Sequence, residues 1–235
     1  QVIAPESEYT LEVKDLSCLQ TKDAEIALEK ELNEGAWTAF DLENGPVWRT
    51  KLFKINEKEH VFFLVIHHII SDAWSNIIFV KEFLSLYEAF DKGIPPSLPA
   101  MPVQFADYAC WQRKLMADED VRRKLLDYWK EQLASPVVLE LPTDYQRPVA
   151  QSFSGSAATL NLSKDLSTRL KELCIKEDVT LFMLLLMAFE ILLYRYSGQE
   201  DIIIGTVAAN RGQIESTGLI GFVMNTLALR CNLTG

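Results

Sequence analysis

Cysteine is scarce in this chain. The four residues, Cys18, Cys110, Cys174 and Cys231, stand far apart and form no Cys-x-x-Cys pair. That spacing argues against a zinc knuckle and a disulfide framework, and predicts buried free thiols. Basic charge is in deficit too. Lys and Arg number 23 against 33 Asp and Glu, giving a net charge of −10 and a pI near 4.9. The basic residues are dispersed among acids, whereas a phosphate backbone needs uncompensated basic clusters, so no nucleic-acid partner is expected. Long apolar runs are also missing. The longest, Leu181 to Phe189, stops at Glu190, well short of the roughly 20 residues of a spanning helix. No membrane partner is expected either. Gln1-Val2-Ile3 offers no initiator Met and no signal peptide, which implies a piece of something longer. There is no internal repeat and no low-complexity tract.

What is present is the makeup of a globular protein: 235 residues, 49% hydrophobic and 24% charged. That length suits one large domain or two small lobes. Tyr9 to Val13 reads as a short strand, and Asp23 to Glu34, with Ile26, Leu28 and Leu32, as a helix. Val47 to Ile55 and His60 to Ile66 read as a hairpin after the turn-forming segment Phe40 to Pro46. Because Val61 to Ile66 is continuously apolar, it is expected to be a central strand covered on both faces. Ile77, Val80, Leu84 and Tyr87 then recur at helical spacing until Gly93-Ile94-Pro95-Pro96. Further helices are predicted around Gln104 to Met116 and Asp120 to Leu133, and a crossover linker over Pro142 to Ser156. Beyond it come a strand over Ala157 to Leu162 and a helix capped by Ser163. A helix over Thr180 to Tyr196, apolar on nearly all sides, is expected to be core-buried and ended by Gly198. Asp201 to Val207 and Thr226 to Asn232 are the last strand candidates.

The sharpest chemical feature is His67-His68-Ile69-Ile70-Ser71-Asp72, at the exit of an apolar strand and ahead of a helix. An imidazole there can take a proton from an amine near neutral pH, and a carboxylate four residues on can fix its tautomer or brace the loop through an Arg. The bland alternative, a packed core histidine beside an incidental one, is the favoured reading on spacing alone. Zinc is disfavoured, since adjacent side chains diverge at a strand end and His60 lies at the far end of the same strand.

Three stretches change those odds. His67-His68-Ile69-Ile70-Ser71-Asp72-Ala73-Trp74-Ser75 resembles the His-His-x-x-x-Asp-Gly core, followed by Trp-Ser, of the condensation domains of nonribosomal peptide synthetases, donor-L/acceptor-L type. Gln104 to Arg113 resembles their Tyr-x-Asp-Tyr-Ala-x-Trp-Gln motif, and Ile220-Gly221-Phe222-Val223-Met224-Asn225-Thr226 their Ile-Gly-x-Phe-Val-Asn-Thr segment. Phe40-Asp41-Leu42, Tyr128-Trp129, Leu141-Pro142-Thr143-Asp144, Ser197 to Asp201 and Ala209-Asn210-Arg211 agree in order between them.

The resemblance implies an α/β, chloramphenicol-acetyltransferase-like two-lobed fold with a tunnel between the lobes. Residues 1–146 would be the N-terminal lobe and 147–235 the incomplete beginning of the C-terminal lobe. It implies a cytoplasmic acyltransferase of secondary metabolism that joins a carrier-thioester-linked aminoacyl or peptidyl group to the amine of a carrier-bound amino acid. No cofactor would be bound directly; substrates would arrive on the phosphopantetheine of upstream and downstream peptidyl carrier domains, beside an adenylation domain. His68 is the implied catalytic residue, deprotonating the amine or orienting it and stabilising the charged intermediate. His67 and Asp72 are implied structural supports, with Arg211 or Arg230 as partner of Asp72. Ala73, Trp74, Ser75 and Asn225 are tunnel or lobe-junction candidates. Tyr108 and Trp111 are expected to anchor an aromatic helix face in the core, and the Gly221 turn to be a backbone requirement.

The sequence departs from the pattern at Ala73, where the family has Gly; the added methyl is expected to matter if the backbone there is unusual or a tethered substrate passes closely. Opening and closing family motifs lie outside the chain. An incomplete domain leaves apolar surface and sheet edges exposed, a route to self-association, partner binding or inactivity. The alternatives are an inactive scaffold fragment, or a relative that catalyses epimerisation, cyclisation or ester formation.

Overall fold

A computed structural model describes residues 9–150, 152, 155–212 and 214–234. The opening tripeptide and part of the crossover linker lie outside the described residues. The chain divides into two compact units: residues 1–113 with 209–224, and residues 114–208 with 225–235.

The first unit is built on a three-stranded sheet. Strand β1 (Glu12–Asp15) runs parallel to β2 (Trp48–Lys54), which pairs antiparallel with β3 (His60–Ile66), giving the order β1-β2-β3. A parallel pair needs a crossover, and α1 (Thr21–Trp37) supplies it. Leu16, Ala24 and Phe53 form the buried centre, with Leu28, Leu32, Val61 and Phe63 packed around it. Phe53 is 0% exposed, a burial that contributes about 1.5–3 kcal/mol. The hairpin forms where alternation and turn chemistry place it, with Asn56 and Ile55 closing on Glu59.

The expectation for β3 needs correction. Among the described residues it is an edge strand, and β2 is the central one. The expected cover on both faces is there, supplied by helices. Phe63 joins the core beneath α1, while Phe62 stacks at 4.8 Å on Phe83 of α2 (Ala73–Asp91). Continuous hydrophobicity reports covered faces, not a second hydrogen-bonded neighbour.

Helix α3 (Phe105–Ala117) begins in the first unit and enters the second. The second unit holds α4 (Glu119–Gln132), α5 (Lys164–Lys176), α6 (Leu181–Ser197) and the antiparallel pair β4 (Asp201–Ala208) and β5 (Asn225–Asn232). Ser163 caps α5 by accepting from the Leu166 amide, Thr180 caps α6 by accepting from the Met183 amide, and Gly198 ends α6 at φ +70, a left-handed conformation that favours glycine. Arg230 grips Asp201 through Nε and a terminal nitrogen at 2.8 and 2.6 Å, and donates to the Gln132 and Ala134 carbonyls. It is therefore a clasp of the second unit.

Three expectations differ here. Ala157 to Leu162 forms no strand, because alternation gives a side-chain pattern but a strand also needs a ladder partner, and the described residues provide none. Helix α6 is not enclosed: only Glu190 and Leu193 on it are buried, while Phe182, Leu185, Phe189 and Leu192 are exposed. No single helix is long and apolar enough to cross a membrane among the described residues. The thiols differ as well. Cys174 is buried, Cys231 half-buried, and Cys18 and Cys110 are exposed.

Candidate active site

The site lies within the first unit and starts from where β3 ends. The last ladder pair is Trp48 with Ile66, and the His67 amide then bonds to the Val47 carbonyl at 2.9 Å. A tight turn follows, closed by the Ile70 amide on the His67 carbonyl. His67 is half-buried: its Nδ1 accepts from the Ile69 amide at 3.0 Å and its ring meets Phe40 edge-on at 5.8 Å. Phe40 is itself held beneath the Arg49 guanidinium, 3.9 Å from its ring centre. Asp41 folds the adjoining turn by accepting from the Glu43 and Asn44 amides.

His68 faces outward and is exposed. Its Nδ1 lies 2.6 Å from the Ser71 carbonyl oxygen. A carbonyl can only accept, so Nδ1 carries the proton and, in the neutral ring, Nε2 keeps its lone pair. That leaves a proton acceptor at the exposed end of the imidazole.

Asp72 is the N-cap of α2 and is enclosed, its side chain 2% exposed. It accepts from the Ser75 amide at 2.8 Å, the Ser75 hydroxyl at 2.7 Å and the Val223 amide at 3.2 Å. One Arg211 terminal nitrogen donates to both carboxylate oxygens, at 3.0 and 3.1 Å. Burial pushes this carboxyl up, but the Ser75 and Val223 donors and the Arg211 charge outweigh it and hold the group below the ordinary carboxylate range. Asp72 is an anion with every side committed to the scaffold.

Arg211 extends that scaffold. Its other terminal nitrogen donates to the Ser216 and Leu219 carbonyls at 2.9 and 2.5 Å. Of the two arginines expected as partners of Asp72, Arg211 takes that position and Arg230 binds Asp201. The buried Ser75 hydroxyl has a single proton to share between Asp72 and the Gly221 carbonyl, and accepts from the Gly221 amide at 3.0 Å. Ser75 is thus part of the bracing, 1% exposed. Trp74 donates from its indole to the Thr217 carbonyl at 2.9 Å and stays 42% exposed. Ala73 begins α2 and is exposed. Asn225 opens β5 in the second unit.

The second motif turns out to serve the same loop. Asn210 donates to the Tyr108 hydroxyl at 2.7 Å, and burial pushes that phenol up against the opposing Arg211 charge and Asn210 bond. Trp111 is 44% exposed, so it does not anchor in the core as expected; it leans on Tyr108 at 5.6 Å. A Cβ at residue 221 would fall 2.2 Å from Phe105 Cδ2. Gly221 is a packing requirement for α3, which its spacing alone did not reveal. Phe222, also unmarked by sequence reasoning, meets His68 at 5.1 Å and 78°. Among the described residues no three His, Cys, Asp or Glu side chains are grouped as a metal would require.

Known proteins carry the same architecture. The X-domain from teicoplanin biosynthesis superposes with a TM-score of 0.86 at 27% identity, matching 100% of this chain and 52% of that one. The epimerization domain from the third module of tyrocidine synthetase B gives 0.82 at 21% identity, over 96% of this chain and 51% of that one, a likeness of fold alone. These neighbours place the chain in the chloramphenicol-acetyltransferase-like fold, spanning about half of each solved domain. In sequence, a linear gramicidin synthase of Brevibacillus parabrevis is 46% identical over 236 residues, and chondramide synthase cmdD of Chondromyces crocatus 41% over 235. Both match 100% of this chain, which spans only 5% and 6% of those synthases. The Condensation domain family model matches residues 1–235. With the His-His-x-x-x-Asp loop, its arginine brace and this fold in agreement, the chain belongs to the Condensation domain family of nonribosomal peptide synthetases.

Proposed function

We propose that this chain is the catalytic-loop half of a peptide-bond-forming condensation domain, with His68 as its catalytic residue. The observation that carries this reading is the His68 tautomer: Nδ1 is occupied by the Ser71 carbonyl, and Nε2 is left as an exposed acceptor. An acceptor amine donates an N–H to Nε2 as its lone pair attacks the thioester carbonyl. The C–N bond forms, the C–S bond breaks, and the proton taken up by Nε2 passes to the departing thiolate, which leaves as the donor thiol and restores the neutral imidazole. Asp72 is too fully bonded to act as a base; with Arg211 and His67 it supports the loop. Ala73, Trp74 and Asn225 are candidates for the tunnel or lobe junction, whereas the bonds of Ser75, the fourth such candidate, to Asp72 and Gly221 favour a bracing role within the first unit.

In this reading residues 1–146 belong to the N-terminal lobe and 147–235 begin the C-terminal one, in a cytoplasmic synthetase. Both substrates ride on phosphopantetheine arms of flanking peptidyl carrier domains, next to an adenylation domain. The relatives, named as gramicidin and chondramide synthases, support this assignment.

The test is transfer in the full-length domain with both carriers loaded, reading condensed product on the acceptor carrier by mass spectrometry. His68→Ala should abolish product while carriers stay loaded and the protein stays folded. No product from wild type with competent carriers would instead favour a scaffold role.

A further inference from the structure

The third motif supplies more to the site than a brace. From Leu219 to Val223 the chain alternates inward and outward: Leu219 and Val223 are 1% and 2% exposed, while Ile220 and Phe222 are 41% and 44% exposed. The inward positions are fixed. Gly221 is bonded through both its amide and its carbonyl to the Ser75 hydroxyl, and the Val223 amide to Asp72. Phe222 is thus the one side chain between two anchored peptide units, and it points at His68, ring centres 5.1 Å apart and planes at 78°. That arrangement is the preferred edge-to-face geometry of aromatic pairs.

We infer that Phe222 is a positioning residue for His68, holding the imidazole plane so that the Ser71 bond and the aim of Nε2 persist. This rests on His68 being the catalytic residue. A lone Nδ1–H bond leaves the ring free to rotate about it; a second contact on the ring itself removes that freedom. The Asp72–Arg211–Ser75 cluster then has an output. It fixes the backbone on either side of Phe222, so the buried ion pair acts on the exposed imidazole through this ring.

Two readouts in the full-length domain test it. With loaded carriers, Phe222→Ala should lower kcat about tenfold with acceptor KM nearly unchanged, since misplacing a reacting group costs rate more than binding. Phe222→Tyr, which keeps the ring, should restore kcat to within about threefold, and Ile220→Ala should stay within about twofold of wild type. Nitrogen-15 NMR of His68 should report the Nδ1–H tautomer in wild type and Phe222→Tyr, and a mixture in Phe222→Ala. A kcat for Phe222→Ala within twofold of wild type, or a loss that Phe222→Tyr does not repair, overturns the inference, as does an unchanged tautomer. If wild type makes no product, the condensation reading fails separately and the NMR signature still decides the positional one.

Discussion

One terminal nitrogen of Arg211 holds both oxygens of Asp72 across 139 positions of sequence, with each side chain only 2% exposed. The charges are out of water together, so removing either leaves the other buried and unpaired. Arg211→Ala should therefore destabilise the full-length domain by about 3–5 kcal/mol, and Arg211→Lys by less. Urea midpoints check this. A loss under about 1 kcal/mol for Arg211→Ala would mean that water reaches Asp72.

The same cluster sets an acid response. Asp72 is held below its ordinary value of 3.8, so between the two values the unfolded chain binds more protons than the folded one. Its contribution is complete above the unfolded value and is lost as pH falls through the lower folded value. Asp72→Asn should be less stable near neutrality but show a shallower loss of stability below about pH 4. Denaturant midpoints at a series of pH values give both slopes, and parallel slopes would refute the assignment.

Much of this was legible in the sequence, for local reasons. The hairpin, the Ser163 cap and the Gly198 stop are each decided within a few residues, and structure and pattern agree. The His-His-x-x-x-Asp loop was equally visible because its spacing is short. The edge position of β3, the exposure of α6 and the absent strand at Ala157 to Leu162 were not, since each depends on a partner element that pattern does not specify. Phe222 escaped for a related reason. Its contact with His68 joins distant segments, and its neighbours Gly221 and Val223 carry the hydrogen bonds that place it.

Thiol chemistry separates the four cysteines. Burial pushes the Cys231 thiol up to about 11, reinforced by its hydrogen bond to Glu190 and that residue's charge. The thiolate is the nucleophile, so Cys231 should resist iodoacetamide at about pH 8, as should the buried Cys174, while exposed Cys18 and Cys110 react. Peptide mapping of the alkylated domain reads this directly. Glu190→Gln removes the carboxylate charge and should raise Cys231 labelling at about pH 9; equal labelling of all four thiols in wild type would contradict the burial.

Ala73 is the position at which this loop departs from the family's glycine, and its surroundings remove the concern about backbone strain. It is the first residue of α2, directly after the Asp72 cap, and it is not among the residues with positive φ. Its methyl is exposed. The conformation at this position is one alanine adopts freely, so a glycine there would relieve nothing and would lose helix propensity, at most about 1 kcal/mol in a helix interior and less in the first turn. Ala73→Gly should therefore leave the full-length domain slightly less stable. If a tethered substrate passes against that methyl, acceptor KM should shift while the thermal midpoint barely moves; a variant markedly more stable than wild type would restore the case for strain at the start of α2.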